Sequence, residues 1–199
     1  MDRKYEVVSR WMGELRGRGQ QVLVLTCFPA TFLELQSALN QRQVEYDILA
    51  ERVSEDGLLA RVREADDSPL LTMSQMLQPA GPVSSGPPAS GRPLALIVVE
   101  RHPLPRYHEA LQQFARNLNH PIAIGYILSF DDPVVRFYLG DNFIELLKQL
   151  GMGNNDLVSS TMTRRALDRA IKRRAGQISG AKAAESAEEW LALNFSPDS

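Results

Sequence analysis

Apolar residues recur along this chain in two alternating patterns. Tyr5, Val8, Trp11, Met12 and Leu15 fall on one face of a helix. Val22 to Leu25 is a continuous apolar run, the pattern of a strand buried on both faces. Thr31 and Glu34 then read as a capping box, the hydroxyl serving a first-turn amide and the carboxylate returning to the cap. Phe32, Leu35 and Leu39 carry that helix on. Val44 to Leu49 is strand-like; Leu58, Leu59, Val62 and Ala65 resume the helical period; Pro69 to Met73 is a third strand. Leu94 to Val99 is the cleanest buried strand of all. Tyr107, Leu111, Phe114, Ala115 and Leu118 form a second long helical stripe, and Ile122 to Leu128 a further strand. Asp132 before Pro133 predicts a helix start. Asp141 predicts another, with Phe143, Ile144, Leu147 and Leu150 inward and Gly151 as terminator. Two more helices are expected over residues 163–178 and 181–193.

Strand and helix therefore alternate at least five times. Parallel strands need long crossovers, and helices supply them. The expected fold is a doubly wound, mainly parallel α/β sheet with helices on both faces and a helical C-terminal extension. Residues 79–93 interrupt the pattern with five prolines, three glycines and three serines, which sustain neither ladder nor helix. Strand signals resume after them. The expected organisation is one α/β domain over residues 1–160, with an exposed flexible loop at 79–93, followed by a helical extension over 161–199.

Composition narrows the class. With 199 residues, 44% apolar and 23% charged, the chain can bury a real core without disulfide or metal staples. A single cysteine, Cys27, excludes a disulfide framework and a cysteine-rich zinc site. The net charge of −2 argues against a globally basic nucleic-acid binder. No apolar run approaches the roughly 20 residues that span a bilayer, and no apolar stretch follows the basic residues of the first ten positions. A cytoplasmic protein is expected. The charge is unevenly spread: residues 151–180 carry six basic and two acidic residues, and residues 181–199 one and four.

The usual signatures of α/β enzymes are missing. There is no glycine-rich phosphate loop ending in Gly-Lys-Ser/Thr, no GxGxxG, no HExxH and no GxSxG. His102, His108 and His120 lack ligand spacing, and His108 is expected on an exposed helical face, so no metal and no cofactor is expected. Cys27 follows a buried strand and reads as a small core residue, although the strand-to-helix handover is where α/β folds place their sites. Asp131 and Asp132 read as helix-capping residues rather than an acid–base pair. The strongest charge feature is the run Arg164, Arg165, Arg169, Lys172, Arg173 and Arg174, in which Arg165, Arg169 and Lys172 share one helical face. It reads either as a solvated face balanced by Glu185, Glu188 and Glu189, or as a docking surface for an acidic partner. No aromatic is interleaved, which argues against single-strand nucleic-acid binding.

Residues 100–152 carry a resemblance. Glu100-Arg101-His102, Leu128-Ser129, Asp131-Asp132, Phe137, Asp141 and Leu150-Gly151-Met152 stand at the spacing of the second RecA-like motor domain of the SecA preprotein-translocase ATPases. Gly19 to Thr26 resembles that family's Gly-x-Pro-Val-Leu-Val-Gly-Thr strand. The resemblance covers about residues 1–176 and implies a RecA-like, P-loop NTPase-type fold. The departures fall where the chemistry should be. The family's Thr-Asn-Met-Ala-Gly-Arg-Gly-Thr-Asp motif aligns with residues 74–82, where its arginine becomes Pro79 and its aspartate Pro82. Its Gln-Leu-Arg-Gly-Arg-Ser-Gly-Arg motif aligns with residues 110–117, where the arginines become Gln112, Phe114 and Asn117. An arginine finger contributes on the order of 10³–10⁵ in phosphoryl-transfer rate, and neither Gln112 nor Phe114 can replace one. Arg106, Gln112 and Arg116 are what this helix retains for a vestigial nucleotide contact.

The resemblance thus implies a degenerate motor half, a helicase C-terminal-like domain that is no independent ATPase. The expected function is a non-catalytic interaction module that binds a protein partner: a complete SecA-like motor, its translocation channel, or a second copy in a homodimer. The candidate partner surface is Arg165, Arg169, Lys172 and Arg173. One alternative is a half-motor that binds nucleotide or completes an ATPase in trans through Arg106 or Arg116. Another is a helicase-like nucleic-acid-binding module, against which the charge and missing motifs weigh.

Overall fold

The computed structural model describes residues 2–65, 67–77, 91–149, 161–176, 178 and 181–195. The expected 79–90 part of the proline-rich loop, and Leu150, Gly151 and Met152, lie outside them. Among the described residues, eight α-helices and five strands follow in the order α1 (Asp2–Gly17), β1 (Gln21–Thr26), α2 (Pro29–Gln41), β2 (Asp47–Ile48), α3 (Glu55–Glu64), β3 (Leu70–Met73), β4 (Leu94–Val98), α4 (Pro105–Asn117), β5 (Ile122–Tyr126), α5 (Pro133–Leu139), α6 (Asp141–Gln149), α7 (Thr161–Ala175) and α8 (Ala187–Asn194). The strands form one sheet in the order β2-β3-β1-β4-β5, and every described pairing is parallel. The doubly wound α/β architecture expected from the alternation is the one observed.

The pleat sorts each strand's side chains between the two helical layers. Val22 and Val24 of β1 meet Tyr5, Val8 and Met12 of α1 and Leu35 and Leu39 of α2. Leu23 and Leu25 point the other way, toward Leu58 and Val62 of α3 and Leu111 and Phe114 of α4. Burying such Val and Leu side chains contributes about 1.5–3 kcal/mol each. Helix placement follows the right-handed crossover rule. The β1-to-β2 connection runs toward one edge with α2 on one face, and the β4-to-β5 connection runs toward the other edge with α4 on the opposite face.

A third apolar cluster lies beyond the carboxyl ends of the strands. Phe28, Leu104 and Phe130 meet Val134, Val135 and Tyr138 of α5, Leu167 and Ile171 of α7, and Trp190 and Leu191 of α8. The Tyr138 hydroxyl donates to the Pro103 carbonyl at 2.9 Å. Arg101, at the end of β4, pairs with Asp168 of α7 at 2.7 Å and lies over the Tyr126 ring. The last two helices are therefore packed into this end of the sheet.

Four local expectations change. β2 is two residues long, against the expected 44–49, because it is an exposed edge strand that pairs only with Leu70 and Leu71. α2 starts at Pro29 with Phe28 as its cap residue, so Thr31 lies inside the helix and its hydroxyl is used elsewhere. Asp132 does precede Pro133, but its carboxylate turns back to the Ser129 amide and Lys4 instead of capping α5. α8 starts at Ala187 rather than 181. There Ser186 accepts from the Glu189 amide and the Glu189 carboxylate accepts from the Glu185 amide, which fixes the start.

Candidate functional site

In open parallel sheets, ligands sit beyond the carboxyl ends of adjacent strands whose connections diverge. Here those strands are β1 and β4. A cavity of about 320 Å³ opens at that point, between the start of α1, the first turns of α2, the end of β4, the β5–α5 loop and the start of α8.

Its floor is held by Glu100, which is only 5% exposed. Oε1 accepts from the backbone nitrogens of Cys27 at 2.6 Å and Phe28 at 2.9 Å, and Oε2 accepts from the Thr31 hydroxyl at 2.8 Å. The protein's own carboxylate is thus seated on the two amides that lead into α2, at the helix end an anionic ligand would approach. Burial pushes the Glu100 carboxyl up, while these donors and Lys4 oppose the rise. Lys4 donates to Asp132 Oδ1 at 2.6 Å, and Asp132 Oδ2 accepts from the Ser129 amide at 2.9 Å. Burial pushes Asp132 up too, again against the pull of Lys4. The Tyr5 hydroxyl donates to Glu34 at 2.8 Å, and burial, first, then Glu34 holds its proton on well above the ordinary phenol range. The expected reciprocal Thr31–Glu34 pair is therefore split: Thr31 serves Glu100 and Glu34 serves Tyr5.

Cys27 is half-buried at this edge, with its thiol pushed up to about 12 by burial and then by Glu100. Such a shift favours the protonated thiol over the nucleophilic thiolate. His102 is buried between the rings of Phe28 and Tyr107, with centroids at 5.3 and 3.6 Å, and its Nδ1 accepts from the Leu104 amide at 3.0 Å. Burial, then Arg106, lowers it to about 3. His108, expected on an exposed face, is half-buried: it bonds the Tyr126 hydroxyl and Gln112, and burial, then Arg101, lowers it to about 4. Among the described residues, no cluster of three or more His, Cys, Asp or Glu side chains could hold a metal ion. None of the helices, among those residues, is long and apolar enough to cross a membrane.

The residues expected to mark a vestigial nucleotide contact do not converge. Arg106 is exposed in the first turn of α4 and Arg116 is exposed in its last turn. Ten residues at 1.5 Å rise separate them by about 15 Å. Gln112, between them, is engaged with His108 at 2.9 Å. Phe114 and Asn117, two positions at which the resemblance leads one to expect arginine, face the interior at 2% and 8% exposure. The α7 set behaves as a unit. Arg165, Arg169, Lys172 and Arg173 are exposed, while Leu167 and Ile171 on the opposite side are buried. Lys172 lies across an open groove from Arg106, which brings together one residue from each expected set. Sequence reasoning missed Glu100 as an anchor and missed Lys4 altogether, because both act on partners more than 65 residues away.

Fold and cleft together define a doubly wound parallel α/β domain whose switch-point crevice is lined, and in part filled, by its own ion pairs and buried carboxylates. No family model matches the chain. Its sequence is similar to the protein translocase subunit SecA of Nitratidesulfovibrio vulgaris, 27% identical over 173 residues covering 85% of this chain and 20% of that protein. It is similar to SecA 1 of Chlorobium chlorochromatii at 25% identity, covering 85% and 17%, and to SecA of Lawsonia intracellularis at 24%, covering 85% and 21%. The resemblance read over about residues 1–176 is thus matched by a similarity along 85% of the chain, which spans 17–21% of the length of these relatives. Among solved structures, a crystal structure of the C-terminal part of the Fun30 ATPase domain matches at 14% identity and a TM-score of 0.38, covering 85% of this chain and 53% of that one.

Proposed function

We propose that this chain is a non-catalytic, cytoplasmic protein-interaction module built on half of a SecA-type motor, and that it acts on or within protein-translocation machinery by binding a protein partner. The observation that carries this reading is the inward packing of Phe114 and Asn117. Arginines that reach phosphates must leave the helix toward solvent. Here two of the aligned positions are part of the core, and Gln112, two residues before Phe114, carries no charge. The Glu100 carboxylate on the amides of Cys27 and Phe28 supports the same reading, because a phosphate approaching α2 would meet a like charge.

Thermal stability with and without millimolar Mg-ATP and Mg-ADP tests the proposal. A ligand at 100 times its Kd adds about 2.7 kcal/mol, which for a chain of this size raises the midpoint by about 5–10 °C. No shift is expected. A clear shift overturns the non-catalytic reading in favour of a half-motor that completes an ATPase in trans. Exposed Arg106, at the carboxyl edge of the sheet, would then be the first residue to replace.

A further inference from the structure

We infer that the open groove between the first turn of α4 and the end of α7 is a docking site for an acidic peptide segment carrying one apolar anchor. This rests on the interaction-module reading and names the chemistry of the partner. The groove has a volume of about 480 Å³. Leu104, Ala175 and Ile178 give it an apolar floor, and Arg106 and Lys172 stand against a single carboxylate, Glu109, on its rim. Neither cation is ion-paired among the described residues, whereas Lys4 and Arg101 each find a carboxylate within 2.7 Å. Helix stability does not account for Arg106: it sits in the first turn of α4, where the helix dipole opposes a cation. Lys172 continues into the exposed face of Arg165, Arg169 and Arg173, so a segment leaving the groove along α7 meets positive charge at every turn.

Charge complementarity therefore selects an acidic occupant, and the floor selects a buried aliphatic or aromatic side chain. A nucleic-acid strand fits less well. It would bring phosphates past Glu109 and find no free aromatic face, since the Tyr107 ring is stacked on His102 at 3.6 Å with Arg106 also over it.

The test uses the full 199-residue chain and an array of fluorescein-labelled ten-residue peptides, each with four Glu or Asp around one central Leu, Ile, Phe or Met. Fluorescence anisotropy should show saturable binding for part of the array. Arg106→Glu combined with Lys172→Glu should weaken it at least tenfold, and so should replacing the central residue by Ser. Both substitutions lie on exposed positions, and circular dichroism checks that the fold is kept. The doubly reversed chain should in turn gain binding to the same peptides with Lys in place of the acids. No binding across the array overturns the inference. So does equal binding by wild-type and reversed chains, or displacement of the peptide by a twelve-nucleotide single strand at lower concentration. The Mg-ATP stability shift reads the underlying proposal separately. Peptide binding with a nucleotide shift keeps the groove and removes the non-catalytic reading; neither signal removes the groove alone.

Discussion

Glu100 Oε1 lies 2.9 Å from the backbone nitrogen of Phe28, so the chain leading into α2 is held by a side chain just beyond the carboxyl end of β4. The same oxygen takes the Cys27 amide, and Oε2 takes the Thr31 hydroxyl. Glu100→Ala leaves two amides and a hydroxyl without their acceptor in a buried place, at about 1–3 kcal/mol for each such group. A total loss of about 3–5 kcal/mol is expected. Glu100→Gln keeps one carbonyl oxygen for both amides, and the Thr31 hydroxyl can rotate to accept from the new NH₂ group. That variant should lose less than about 1.5 kcal/mol. Urea denaturation of the two variants checks the order, and equal losses would show that a carbonyl oxygen at this position does not serve the two amides.

Lys4 and Asp132 join α1 to the β5–α5 loop across 128 positions of sequence, with side chains only 11% and 14% exposed. Breaking one partner of a buried pair is costly because the other charge remains, about 3–5 kcal/mol, while removing both is often close to neutral. Lys4→Met should therefore cost about 3 kcal/mol, and Lys4→Met with Asp132→Asn should recover more than half of that. A double-mutant cycle from chemical denaturation gives the coupling directly. An additive cycle would mean that the pair is solvated in solution.

These two contacts also mark where the sequence stops being legible. Strands β1 and β4 are readable because burial on both faces leaves an uninterrupted apolar run, and α4 because its inward positions repeat at helical spacing. The start of α2 is not readable: Thr31 and Glu34 have the spacing of a local cap, but the helix starts at Pro29 after Phe28, and both side chains go to other partners. The Asp132 position is readable from Pro133, while the direction of its carboxylate depends on Lys4. The exposed basic face of α7 follows from helical spacing alone. Its neighbour across the groove, Arg106, does not, because that contact depends on how α7 packs on the sheet.

His102 gives a prediction in pH. Its folded-state value of about 3 lies below the ordinary 6.5, because burial disfavours the imidazolium and Arg106 adds to the effect. Nδ1 already accepts from the Leu104 amide, so the neutral ring carries its proton on Nε2. The folded state thus binds fewer protons than the unfolded chain between the two values. The stabilisation is complete above about pH 6.5 and declines as pH falls toward 3. His108, lowered to about 4, contributes with the same sign. Imidazole chemical shifts followed by NMR should stay flat for both residues from pH 8 to 5. A His102 midpoint near 6 would show that the Phe28–His102–Tyr107 stack opens in solution.

Gly125 and Trp11 decide the sign of a substitution that local propensity would favour. Gly125 lies in edge strand β5, where glycine is a poor strand former, and alanine there would reduce the entropy of the unfolded chain by about 0.4–1 kcal/mol. A Cβ at this position, however, would stand 2.8 Å from Trp11 Cζ3 and 3.4 Å from Cη2. The indole of α1 lies against the strand and must move, and overpacking of this kind costs about 1–3 kcal/mol. Gly125→Ala should therefore destabilise the protein by about 1 kcal/mol net, lowering the midpoint by about 2–4 °C. With Trp11→Leu in place the obstacle is gone, and the same Gly125→Ala change should become neutral or stabilising. Thermal melts of the four proteins read the reversal. If Gly125→Ala costs the same in both backgrounds, the close approach of Trp11 is not what keeps a glycine at this point in β5.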